Sequence, residues 1–146
     1  MAITFTNNWK NILDKLESIL KTEFKGAVPV FRGKEIPAGN QFIRLDPVGS
    51  TLSEYSVSSE MREFTINIQY VFSGGNLNKR ALDTVLRFVS RTEALIHDNI
   101  TMTLSDSPAT EAFNCRFIST DIGASDDEST YIVSWIFMCQ HLGNTG

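Results

Sequence analysis

The sequence predicts an α+β fold, a single mostly antiparallel sheet of about five to six strands with two helices packed on one face. Three observations carry this expectation. Two stretches repeat apolar residues at helical spacing, one strand alternates with strict period two, and the elements run in the order α-β-β-β-α-β-β-β. A period-two strand has one dry and one wetter face, so the sheet built on it is covered on one side, and the two helical stripes supply the cover.

The first helix opens with Asn7 or Asn8 as its cap, because a short side-chain oxygen accepts from the free amides of the first turn. Trp9, Ile12, Leu13, Leu16, Ile19, Leu20 and Phe24 form one stripe, and Lys10, Asn11, Lys15, Ser18 and Lys21 lie opposite. Gly26 is the expected stop. Residues 27–31 read as a short strand whose Pro29 marks an edge or a strand start. A turn-rich connector, residues 33–40, leads to a second strand at 41–45, ended by Asp46 and Pro47.

The segment that follows is rich in serine, with Leu52, Tyr55 and Val57 as isolated apolar residues. It reads as a long loop or as a hairpin arm, spanning about residues 46–61 of one 146-residue domain. Residues 64–72 are the clearest strand, with Phe64, Ile66, Ile68, Tyr70 and Phe72 on one side and Thr65, Asn67 and Gln69 on the other. After a break at Ser73, Gly74, Gly75 and Asn76, a second helix spans about 77–96, striped by Leu82, Val85, Leu86, Val89, Leu95 and Ile96.

Strands at 100–104, 114–122 and 131–139 close the chain. In the middle one Cys115, Phe117 and Ser119 face one way, and Arg116, Ile118 and Thr120 the other. The last is apolar on nearly both faces, so it is either central with both faces covered or offers one apolar face to a partner. The last two strands form an antiparallel hairpin.

The bulk numbers fit such a domain. Hydrophobic residues make up 42% and charged residues 21%, both ordinary for a globular chain. The net charge of −4 speaks against a tight electrostatic grip on nucleic acid. The acid gathers between residues 105 and 130, where Asp106, Glu111, Asp121, Asp126, Asp127 and Glu128 meet Arg116 alone. That run is either a solvated pair of loops or a surface that repels phosphate or docks on a basic partner. The first residues carry no secretory pattern, and no apolar stretch approaches the roughly 20 residues of a spanning helix, so no membrane association is expected.

The search for chemistry finds little. His97 and His141 stand alone at element ends, outside any metal-ligand spacing. Cys115 and Cys139 could meet across the last hairpin, but two thiolates do not complete a zinc site, and buried free cysteine is the simpler reading. Residues 73–76 lie between a strand and a helix, where amides can bind an anion, yet they lack the spacing of the phosphate-binding fingerprints. Asp126, Asp127 and Glu128 lack the alternation and bend glycine of a calcium loop. No catalytic residue, cofactor or metal is predicted, and the chain is read as a non-enzyme that binds other protein chains.

The amphipathic opening helix (9–20), the polar arm (47–61), the alternating strand (64–72), the second helix (82–89) and the aromatic-rich final strand (130–140) together resemble the tail terminator, or tail-completion, proteins of long-tailed phages. More loosely, they resemble the minor proteins of the head–tail neck. The resemblance implies a structural virion protein at the tail–head junction, assembled in the host cytoplasm. It implies a homo-oligomeric ring, usually a hexamer, that caps the tail tube and joins it to the head connector or completion protein, with DNA passing through the lumen without specific binding. Under this reading Leu52, Tyr55, Val57, Tyr131 and Trp135 are the candidate contacts to a neighbouring subunit or the tube. Asp126, Asp127 and Glu128 form a candidate acidic loop facing the lumen. For the apolar residues ordinary core packing stands beside this reading. Two other functions compete: a small enzyme or ligand-binding domain with a polar pocket, and a non-catalytic protein-binding adaptor. The wholly apolar inward set of residues 64–72 counts against the pocket.

Overall fold

The computed structural model describes residues 6–25, 27–33, 40–57, 59–73, 79–105, 110–124 and 130–144. The elements are α1 (Asn8–Phe24), β1 (Val30–Arg32), β2 (Gln41–Tyr55), β3 (Ser59–Ser73), α2 (Lys79–His97), β4 (Met102–Thr103), β5 (Glu111–Ala124) and β6 (Thr130–Asn144). The predicted order and α+β class hold. Six strands form one sheet in the order β1-β2-β3-β6-β5-β4, and every pairing is antiparallel except β1 with β2.

Helix α1 starts as its sequence dictates, with the Asn7 side chain accepting from the Lys10 amide at 3.1 Å. It ends on Lys25 in the left-handed region, φ 51°. A residue with a Cβ is strained there, while a lysine at a helix C-terminus gains from the macrodipole. The predicted stop, Gly26, lies outside the described residues. Ile12, Leu13, Leu16, Leu20 and Phe24 are buried. Arg32 of β1 bridges Asp14 and Glu17, tying the polar flank of α1 to the sheet margin.

The alternation along β3 decides which face is dry. Phe64, Ile66, Ile68 and Tyr70 are buried. Trp9 of α1 meets Phe64 edge-on at 4.7 Å, and Phe88 of α2 stacks between Tyr70 at 3.8 Å and Phe24 at 4.5 Å. Both helices therefore sit on the same face, joined to the sheet by aromatic contacts worth about 1 kcal/mol each beyond area burial.

Four expectations need correction. The strand expected to stop at Asp46 and Pro47 runs on to Tyr55, paired with β3 throughout. The proline is tolerated because β1 reaches only to Leu45, so no partner on that side needs its missing N–H. The buried stripe of α2 is Ala81, Val85, Val89, Thr92 and Ile96, with Leu86 exposed and Phe88 on the side that stacks on Phe24 and Tyr70. The strand expected over 100–104 keeps only two paired residues.

The fourth correction concerns β5. Asn114 at φ 53° and a register shift between Phe117 and Ser119 break the alternation. Phe117 and Thr120 consequently face the same way, opposite Phe137 and Trp135 of β6. Thr120 reaches Glu93 of α2 at 3.5 Å from that side.

Candidate assembly surfaces

Beyond Leu45, strands β2 and β3 continue as a hairpin, with register shifts between Pro47 and Gly49 and between Leu52 and Glu54. These bulges let a long, serine-rich strand twist without losing its ladder. Around the turn, the Ser56 amide donates to the Ser59 carbonyl at 2.8 Å and the two hydroxyls lie 2.9 Å apart. Leu52, Tyr55 and Val57 are 45%, 69% and 93% exposed, and Val48 is exposed beside them. Single exposed apolar residues are ordinary, but four along one strand and its turn, beside a β3 that is itself laddered to β6 from Ser59 onward, mark this end of the sheet as a candidate contact.

The sheet face away from the helices is organised in rows across the strands. Phe42, Val71, Ile132 and Gly123 form one row. Arg44, Gln69, Ser134 and Asp121 form the next, and Asp46, Asn67, Ile136 and Ser119 the one after. Arg44 lies over the Phe42 ring at 5.4 Å, and Gln69 donates to the Ser134 hydroxyl at 3.4 Å. No described helix covers this face.

The residues with chemical potential are placed structurally. His141 is buried, with its ring nitrogen Nε2 2.9 Å from the Thr110 hydroxyl and its ring edge-on to Phe64. Cys115 and Cys139 are both buried and free. A hydrogen bond shared with Cys115, together with burial, pushes the Cys139 thiol well above its ordinary range. The same bond, helped by Arg116, holds Cys115 lower. Cys115 borders a recess of about 270 Å³ that also touches Glu93, His97 and Arg116. Its thiol points at the Ala112 carbonyl, 3.6 Å away, so no nucleophile–base pair is set up there. Among the described residues no group of three or more His, Cys, Asp or Glu side chains is placed to hold a metal.

The predicted contact residues separate into three sets. Leu52, Tyr55 and Val57 share one hairpin and are exposed. Tyr131 is half-buried against the core, next to Phe72. Trp135 is 0% exposed, stacked on Phe117 at 5.4 Å and paired with Ile68, so it belongs to the core and offers no surface to a partner. Of the two readings weighed for the last strand, core packing holds for Val133, Trp135, Phe137 and Cys139. Asp126, Asp127 and Glu128 lie outside the described residues. Sequence reasoning did not single out Ile118 and Ile122, which stand exposed on β5. Their signal, apolar residues four apart on a strand, was hidden by the bulge at Ile118.

No protein-family model matches the chain, and no curated protein matches it either. Among solved structures it is similar to a chain from the virion of a native gene transfer agent particle. The TM-score is 0.60 at 11% identity, over 90% of this chain and 98% of that one. At that identity the likeness is one of fold, and it extends over nearly the whole of both chains.

Proposed function

We propose that this chain is a structural virion protein, and that within the virion it is a tail terminator: a ring of identical subunits that caps the tail tube and meets the head connector. The observation that supports this reading is the likeness of fold, at a TM-score of 0.60 over 90% of this chain, to a chain of a gene transfer agent virion. The arm supports it. A hairpin that exposes Val48, Leu52, Tyr55 and Val57 beyond the sheet's helical cover is suited to a neighbouring subunit or to the tube. A cyclic ring needs two different patches on each subunit, and the arm and the far margin of the sheet are two such patches. The acidic run Asp126, Asp127 and Glu128 suits a lumen along which DNA slides without adhering.

The test is the solution mass of the purified protein by light scattering over a range of concentrations, with negative-stain imaging and a binding assay against tail-tube ends. A ring of about six copies that caps tube ends supports the tail terminator. A ring that binds a connector but not the tube reassigns the chain to the neck. A monomer at every concentration that also ignores tube ends refutes the reading.

A further inference from the structure

Strand β5 has one long unpaired margin. Its inner side is laddered to β6 along its length, but β4 covers its outer side only at Glu111 and Ala112, and Ile100 accepts from the Cys115 amide. From Arg116 to Ala124 no described backbone group pairs with that outer side. The opposite margin repeats the situation. Among the described residues, strand β1 covers β2 only from Ile43 to Leu45, and no backbone group pairs with the outer side of β2 from there to Tyr55. Open strand edges are templates for another strand, and proteins normally blunt them with lysine, proline or cover. The β5 margin carries neither lysine nor proline, and on β2 Pro47 withdraws a donor only at the foot of the arm.

We propose that copies of this chain join edge to edge, the open margin of β5 in one copy pairing antiparallel with the β2 arm of the next. This deepens the ring reading above and rests on it. Strand directions favour it. Each step from β2 through β3 and β6 to β5 is antiparallel, so β2 and β5 run opposite ways. A rotation about an axis roughly along the strands keeps every helix on the same side and brings β5 against the next β2 antiparallel.

Side chains select a register. Setting Ile122 against Val48 sets Ile118 against Leu52 and Arg116 against Glu54. The exposed apolar residues of each margin then meet each other, and a cation meets a carboxylate. Faces agree as well. Thr120 and Ser50 both lie on the helix side, opposite Trp135 and Phe64 respectively. Ser119 and Thr51 both lie on the other face, opposite Ile136 and Glu63. Moving the register two residues either way puts Ile122 against Asp46 or Ile118 against Glu54. Within one copy Ser119 is level with Asp46. The junction therefore shifts the next copy by about four ladder positions, ~14 Å, over about four strand spacings, ~19 Å. That slope, about 35°, lies within the tilt of closed β-barrels.

The test is thiol cross-linking with diamide as the oxidant, using Thr51→Cys and Ser119→Cys, two exposed positions that face each other in this register. Mixing the two single variants should give a disulfide-linked dimer absent from the wild type with its buried cysteines, and the double variant should give a ladder. Neither single variant alone should cross-link. Ile122→Asp should weaken assembly at least tenfold with its melting temperature unchanged. If light scattering shows an oligomer but the mixed variants do not cross-link, edge pairing is overturned and the ring reading survives. If Ser119→Cys links to itself, a two-fold β5–β5 contact replaces the proposal. A monomer that never assembles, alone or on tube ends, overturns both.

Discussion

Replacing Leu52, Tyr55 and Val57 together by serine tests whether the arm is an assembly device or a part of the fold. The three side chains are 45%, 69% and 93% exposed, so the folded monomer holds only part of their apolar surface. Full burial of a large apolar side chain is worth about 2 kcal/mol, and scaling by the exposed fractions leaves roughly 4 kcal/mol for a partner to gain. Interfaces bury such residues incompletely, so about 3 kcal/mol per contact is the working figure. That corresponds to a loss of roughly a hundredfold in association.

The folded monomer should scarcely notice. Exposed substitutions usually change stability by less than about 0.5 kcal/mol, or under about 2 °C in melting temperature for a chain of this size. The assay pairs light scattering across a concentration series with a thermal melt of the same samples. The reasoning fails if the triple variant assembles over the same concentrations as the wild type, which would free the arm from any contact. It fails differently if the variant melts many degrees lower, which would make the arm part of the core.

Two further predictions follow from the same structure. Trp135→Ala should cost about 3–5 kcal/mol of folding stability, read as a lower denaturant midpoint, because it empties a fully buried site stacked on Phe117; a midpoint near that of the wild type would contradict its place in the core. Arg32→Gln addresses Asp14, held below its ordinary 3.8 by hydrogen bonds from Lys10 and Arg32, and Glu17, held below 4.5 because bonds from Lys21 and Arg32 outweigh the opposing effect of burial. Depressed carboxylates stabilise the fold above their unfolded values and lose that stability as pH falls through their folded ones. The variant should therefore be less stable by about 1 kcal/mol at pH 7, with the gap closing below about pH 4.5 in urea titrations. A gap independent of pH would reject the ion-pair account.

Much of the fold was legible because side-chain period and burial agree. On β3, Phe64 to Tyr70 alternate in sequence and in burial alike. On α1, the Asn7 cap and the apolar stripe each appear where the spacing puts them. Legibility stopped where tertiary pairing overrode a local signal. Asp46 and Pro47 read as a strand end, but β3 supplies partners on the other side and carries the strand through. Bulges are not written in composition, so the facing of Thr120 was misread once β5 took in an extra residue at Ile118. Trp135 was ambiguous for another reason. Its strand is apolar on both faces, and only the pairing with Ile68 decides which face is dry.

The distribution of exposed apolar surface explains why association is expected at the margins of this sheet and not on its broad uncovered face. On that face the apolar row through Phe42, Val71 and Ile132 is followed by a polar row through Arg44, Gln69, Ser134 and Asp121. Neighbouring strands already shade most of these side chains to half-burial, so a partner laid flat would gain little apolar area and would have to match the polar row. Val48, Leu52 and Tyr55 on one margin, and Ile118 and Ile122 on the other, stand exposed on strands whose outer sides have no ladder partner among the described residues. At a margin the same contact gains both apolar burial and main-chain hydrogen bonds. A partner that paired along β5 would thus also cover its isoleucines, whereas one bound to the open face would leave both margins as they are.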